Sequence, residues 1–284
     1  MFEWDRVCGA RAAVMGIVNV TPDSFSDGGR FLDPDAAVAH GIELAEQGAD
    51  VLDVGGESTR PGAAPVPADE ELRRVVPVVE ALAGAAQISV DTSKPTVARA
   101  ALDAGASYVN DVTAFRADPA MATLVAERDC ECCLMHMLGE PRTMQRDPRY
   151  ADVVSDVKAF LEQRLAFAIA EGIAEERVLL DPGIGFGKTV EHNLELLRRL
   201  DELVAIGRPV VVGASRKSFL GRLTGRELAA ERVSATVAVN VLALERGATV
   251  FRVHDVRESR DALLVATATL AAGWPKTTIP TSTT

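Results

Sequence analysis

The chain has 284 residues, 48% of them apolar, enough to bury a large core as one α/β domain or two smaller ones. A formal net charge of -11 repels nucleic acid and anionic membrane, so any anionic ligand must be held by locally gathered bases. There is no charged-then-apolar leader and no run of about 18 apolar residues, so the expectation is a cytoplasmic protein without signal peptide or spanning helix.

The first apolar run, over 13–20, gives out around Asn19 and passes into a loop. Pro22 forbids a continuing ladder, and Gly28 with Gly29 supplies a flexible far end. Asp23, Phe25 and Asp27 stand between them. A Phe in a Gly-flanked loop needs something to cover it, unless this is a plain surface loop with a capping Asp. From here short apolar runs alternate with longer segments of helical spacing. Strands are predicted over 13–20, 51–55, 88–91, 108–112, 132–137, 178–181, 210–213 and 250–254. Helices are predicted over 35–47, 69–82, 95–104, 119–127, 152–171, 190–205, 231–246 and 259–271, most of them followed by a glycine suited to a left-handed C-terminal cap. Eight strand–helix pairs without a hairpin signal point to a single (β/α)8 barrel, in which closure removes both sheet edges; a doubly wound open sheet is the alternative. The segment 139–149, rich in Pro, Arg and Asp, reads as a loop over the top. The domain then spans 1–275, and the tail 276–284 has too little apolar content to pack.

Cys130 and Cys133 have C-x-x-C spacing, but no second pair or partner His lies at ligand spacing. Cys8, Cys130, Cys132 and Cys133 therefore read as reduced thiols.

A barrel of this class builds its site at the C-terminal ends of the strands. Those ends carry Asn19, the run Glu57-Ser58-Thr59-Arg60, Asp91, Asn110 with Asp111, and His136. On the later strands they carry Asp181, the run Ser215-Arg216-Lys217-Ser218, and Arg252 with His254 and Asp255. Helix N-capping accounts for Ser93, Asp111 and Asp255. It does not account for Arg60, Lys217, Arg252 and His254, whose convergence in an acidic chain suits a phosphate or diphosphate. Asp91, Asp181 and Asn110 suit a flat heterocycle presenting amino and ring N–H donors, unless the acids merely pair with the bases. The run Gly183-Ile-Gly-Phe-Gly-Lys-Thr189 fails as a phosphate loop, because the required first glycine position is Pro182. Its glycines instead allow close approach of the backbone to a ligand, with Phe186 as a wall and Lys188 as either a solvated charge or a ligand. His40 and His192 fall on helices and read as surface residues.

From about 13 to 273 these motifs resemble the dihydropteroate synthases, the folate-pathway family targeted by sulfonamides. The resemblance is carried by Met-Gly-Ile-Val-Asn-Val-Thr-Pro-Asp-Ser-Phe-Ser-Asp-Gly-Gly from Met15 and by Asp-Val-Gly-Gly-Glu-Ser-Thr-Arg-Pro-Gly from Asp53. Asp-Pro-Gly-Ile-Gly-Phe-Gly-Lys, Gly-Ala-Ser-Arg-Lys-Ser-Phe-Leu-Gly and Phe-Arg-Val-His-Asp follow in the family's order. The resemblance implies a (β/α)8 barrel that joins (7,8-dihydropterin-6-yl)methyl diphosphate to 4-aminobenzoate with release of diphosphate. It implies that Asp91, Asn110, Asp181 and Lys217 hold the pterin, with Met135, Phe186 and Gly213 around it. Arg252 and His254 would hold the diphosphate with Asn19 and Mg²⁺, and Thr59 would also bind that substrate. Phe25, Arg60, Pro61 and Ser218 would complete the aminobenzoate side, and Asp181, Lys217, Arg252 and His254 would carry the catalysis.

Two departures from the family's pattern, Thr113-Ala114-Phe115 where Ser-Gly-Gly is common and Leu138 where Gln is common, bear on fine specificity. A methyltetrahydrofolate-dependent corrinoid methyltransferase would need no diphosphate site, and a non-catalytic pterin-binding paralogue would have gaps in the first two loops. The segment 233–244 is apolar on nearly all faces, which fits deep burial or the family's helix-mediated homodimer.

Overall fold

The structure is a computed structural model in which residues 11–21, 34–60 and 62–271 are described. Strand β1 (Ala13–Asn19) leads to helix α1 (Pro34–Glu46), β2 (Val51–Gly55) to α2 (Ala68–Leu82), β3 (Gln87–Asp91) to α3 (Pro95–Asp103), and β4 (Tyr108–Asp111) to α4 (Ala120–Arg128). Then β5 (Glu131–Met135) precedes α5 (Val153–Ala170), and β6 (Val178–Asp181) precedes α6 (Val190–Arg198) and the short α7 (Asp201–Val204). The chain continues through β7 (Val211–Val212), α8 (Ser218–Thr224), α9 (Val233–Glu245), β8 (Val250–Val253) and α10 (Val256–Leu270). All pairings are parallel, in the order β6-β5-β4-β3-β2-β1-β8-β7, and a parallel bridge between Leu180 and Val210 brings β6 to β7. This is the (β/α)8 barrel, and the open-sheet alternative is excluded.

A two-residue side-chain period divides every strand between the two faces of the sheet. One set, including Val14, Val18, Leu52, Val54, Ile88, Val90 and Val109, packs with the helices in the large outer core. The other set faces inward: Ala13, Met15, Val51, Tyr108, Cys133, Leu179, Val211 and Val250 form a separate buried cluster that plugs the barrel. Moving two residues up from this plug on six of the strands leads to Asp53, Asn110, Met135, Asp181, Gly213 and Arg252. The apolar plug is therefore the floor on which a polar layer stands.

Apart from end shifts of one or two residues, the structure departs from the predicted helices in three places, each with a local cause. The predicted helix over 190–205 breaks at Arg199 and Leu200; the break buries Leu200 and Leu203 while the Arg199 guanidinium reaches Asp152 at 2.8 Å. Helix α8 starts immediately after the polar run behind β7, too short for its periodicity to register. Helix α10 starts at Val256 rather than at 259, and Asp255 does not cap it with its side chain, because that carboxylate is bound to Arg216. Cys130, Cys132 and Cys133 are free and buried, and burial pushes the Cys130 thiol up to about 12, so all three stay as inert thiols; Cys8 lies outside the described residues. No helix among the described residues is long and apolar enough to cross a membrane.

Candidate active site

Arg252 sits at the centre of the polar layer. Its Nε donates to Asp53 Oδ2 at 2.5 Å and its Nη2 to Asp91 Oδ2 at 2.7 Å. Asn110 Nδ2 donates to the same Asp53 oxygen at 3.1 Å, and Ser89 Oγ to the other at 2.5 Å. Register places these groups side by side, since Asp53 is level with Ser89 and Asp91 with Asn110. Burial pushes the Asp91 carboxyl up to about 7 against the opposing pull of Arg252, while the two acids hold the Arg252 guanidinium charged against its own desolvation. Asp53 was absent from the expected site residues. Its signal was a carboxylate in the middle of Val-Leu-Asp-Val-Gly, a strand whose other residues are apolar and buried on both faces.

The neighbouring sector contains Asp181, level with Met135 on β5. Gly213 belongs here too: a Cβ on it would lie 3.8 Å from both Asp181 Oδ2 and Arg252 Cβ, so a glycine keeps this wall flat. Asp181 Oδ1 accepts from Gly183 N at 2.6 Å, and burial raises its pKa against Lys217, the Gly183 bond and Arg252. The Lys217 ammonium donates to Ile184 O and lies 4.5 Å from the centre of the Phe186 ring. Desolvation pulls its pKa down to about 8, with Asp181 opposing. Asp91, Asn110, Asp181, Met135, Phe186, Gly213, Lys217 and Arg252 are thus brought to one end of the barrel interior.

The glycine run makes close backbone contacts within the fold. Gly183 has φ 66°, and a Cβ there would fall 1.9 Å from His136 O; on Gly187 it would fall 2.7 Å from Leu138 Cβ. These glycines let the loop lie flat on the end of β5. Lys188 is neither solvated nor in the mouth: it is 3% exposed and its ammonium meets His136 Nδ1 at 2.9 Å. The His136 ring packs edge-on against Phe160 of α5, which removes it from the ring of strand-end groups facing the mouth. His192 is half-buried and completes a capping box with Thr189 at the start of α6.

On the far side, Ser215 Oγ meets both the backbone N of His254 at 3.1 Å and its Nδ1 at 3.0 Å. Burial, with Arg216 and Arg252 near by, pushes the His254 pKa down to about 3, so this group offers a neutral imidazole where a cation was expected. Arg216 adopts φ 57° and is held there by Asp255, by Thr236 Oγ1 and by Arg232, which fixes Lys217 and the start of α8 at Ser218. Thr59 is half-buried and Arg60 exposed on the β2–α2 loop, whose base is pinned by Val66 N on Glu57 Oε1 at 3.1 Å and by Lys94 on Glu57. Phe25 and Pro61 lie outside the described residues.

Among the described residues no three His, Cys, Asp or Glu side chains gather as a metal site. Asn19 stands half-buried at the end of β1, level with Gly55, as a single neutral oxygen donor. That suits Mg²⁺, which prefers oxygen, keeps several waters and commonly takes the rest of its shell from substrate phosphates.

An acid-lined floor that can grip N–H donors, next to cations at the rim, defines a barrel enzyme for a flat heterocycle carrying an anion. Residues 15–254 match the pterin binding enzyme family. A dihydropteroate synthase of Mycobacterium leprae is 50% identical over 272 residues, covering 93% of this chain and 95% of that protein. The Escherichia coli K12 dihydropteroate synthase is 48% identical over 261 residues, 91% of this chain and 92% of its own. The solved Xanthomonas albilineans dihydropteroate synthase with 4-aminobenzoic acid superimposes with a TM-score of 0.87 at 53% identity, covering 92% and 94% of the two chains. The same enzyme in complex with 7,8-dihydropteroate gives 0.84 at 50% identity, with 92% and 94% covered. The chain belongs to the dihydropteroate synthase family.

Proposed function

We infer that the protein condenses (7,8-dihydropterin-6-yl)methyl diphosphate with 4-aminobenzoate, giving 7,8-dihydropteroate and diphosphate. The observation that carries this is the pairing of a heterocycle floor, Asp53, Asp91, Asn110 and Asp181, with the cations Lys217 and Arg252. A corrinoid methyltransferase would have no use for the anion-holding half, and the relatives cover the chain as synthases.

The chemistry separates charge. The methylene C–O bond breaks, its electron pair leaves with diphosphate, and the positive charge left on the methylene spreads into the electron-rich pterin. Asp181 and Asp91 accept the ring's N–H donors and favour that cation electrostatically. Arg252 spans both halves: Nε and Nη2 are engaged by acids, while Nη1 has no acceptor among the described residues and can meet the leaving oxygens. His254 offers a neutral hydrogen-bond donor beside it. Asn19 would hold Mg²⁺, which when bound would supply further neutralisation of the leaving group. The aminobenzoate nitrogen then attacks with its lone pair, forms the C–N bond and loses a proton to solvent, so no strong general base is needed. Arg60 and Ser218, with Phe25 and Pro61, are assigned to aminobenzoate, and Thr59 to the diphosphate substrate. The exposed faces of α9 and α10 support a homodimer, and the lack of a spanning helix among the described residues supports a cytoplasmic location.

The test is turnover by the purified protein with Mg²⁺ and both substrates. Dihydropteroate and diphosphate should appear together, and neither should form at that rate when aminobenzoate is omitted. No product with both substrates present would refute the reading.

A further inference from the structure

Lys188 is a buried amine that the reaction does not use, and burial pulls its pKa well below the usual lysine value against the opposing pull of Asp181. Its Nζ meets three acceptors: His136 Nδ1 at 2.9 Å, Phe186 O at 3.0 Å and His136 O at 3.5 Å. All three are neutral, because burial, with Lys188 and Arg116 near by, pushes the His136 imidazole down to about 2, and no carboxylate forms an ion pair with Lys188 among the described residues. A buried amine met only by neutral partners is a poor way to stabilise a fold, and an apolar side chain of similar length would serve folding as well or better. Its position suggests another use. The carbonyl of Phe186 is one of its acceptors, and the ring of Phe186 is the surface under Lys217. The carbonyl of His136 is the surface on which Gly183 lies, and Gly183 N holds Asp181 Oδ1. The backbone N of His136 in turn donates to Asp181 O at 2.9 Å. Every route from Lys188 ends at a group that lines the heterocycle half of the mouth.

We propose that Lys188 is a positioning residue for the pterin half of the site, tying the β6–α6 loop to the end of β5 through His136 and so fixing Phe186 and Asp181. The proposal rests on the pterin-binding reading above. It is tested with Lys188→Met and Lys188→Gln, using 6-hydroxymethylpterin, the heterocycle without diphosphate, as the calorimetric probe. Binding of the probe by the unaltered protein checks the underlying reading first. For Lys188→Met the expected results are a Kd about tenfold or more higher, a KM for aminobenzoate within about twofold, and an unchanged or raised Tm. Lys188→Gln, which keeps donors without charge, should lie between the two. A Kd within about twofold of the unaltered protein overturns the proposal. So does a parallel rise of Kd and aminobenzoate KM with a lowered Tm, and so does failure of both variants to fold, since either result makes Lys188 a structural residue alone.

Discussion

Arg252 faces Asp53 and Asp91 in a space largely closed to water, and the charge there decides what the mouth can hold. Burial raises the Asp91 and Asp181 carboxyls against the pull of Arg252 and Lys217, so the layer accepts hydrogen bonds from a ring and suits one that turns cationic. Asp181→Asn keeps the shape and swaps an acceptor-only group for an amide. The expected loss of heterocycle affinity is about 2–3 kcal/mol with the fold retained, read by calorimetry beside a melting curve. An affinity equal to that of the parent would remove Asp181 from the site. The histidines provide a second check. Burial and adjacent cations place His136 near 2 and His254 near 3, so both are neutral above those values. Ring resonances of these two residues should show no midpoint between about pH 5 and 8 in the free protein, and a midpoint near an ordinary histidine value would contradict their assigned environment. At this scale the sequence told its story unevenly. Asp91, Asn110, Asp181 and Lys217 were legible because strand ends are polar only for a reason. Asp53 and Lys188 were not, since burial and partners decide their meaning and neither is written in local spacing.

Between β4 and α4 the chain makes a turn that glycines would make more easily. Ala114 and Phe115 have φ of 52° and 61°, and Asp111 enforces the turn through Thr113 N at 2.7 Å and Phe115 N at 3.0 Å. Arg164 fastens it further by donating to Ala114 O at 2.8 Å. The left-handed region disfavours residues with a Cβ by about 1–2 kcal/mol each, part of which glycine returns as unfolded-state entropy. Loss of the buried Ala114 methyl, about 0.8 kcal/mol, offsets the relief of the left-handed backbone, so Ala114→Gly should shift stability by less than about 1 kcal/mol in denaturant titration. A larger loss would mean that packing of that methyl outweighs the strain of the turn. The element pattern was legible wherever periodicity ran long enough, as in α2 and α5. It was not legible at α8, which is too short for its period to register, or at the break between α6 and α7, where the cause is the tertiary contact of Arg199 with Asp152.

At the scale of the whole molecule, the barrel leaves one helical face without cover among the described residues. Ser234, Ala238 and Leu242 form the outer stripe of α9, and Leu264 and Val265 stand on α10 beside it; Val265 is 67% exposed. Of the two explanations for the apolar helix, deep burial accounts only for its inner side, at Thr236, Val239, Asn240 and Ala243. The outer side fits a second copy of the chain, so sedimentation should give a dimer and Leu242→Glu a monomer; a monomeric parent protein would refute that assignment. The central claim concerns what the mouth does to charge. With an acidic floor under the pterin and cations at the rim, the methylene C–O bond should open before the amine arrives. The direct measurement is positional isotope exchange in substrate labelled with ¹⁸O in the bridge between methylene and phosphorus, incubated with enzyme and Mg²⁺ but no aminobenzoate. The account predicts that label moves into the non-bridging oxygens of recovered substrate. Label that stays in the bridge, in an enzyme that turns over normally once aminobenzoate is added, would contradict it.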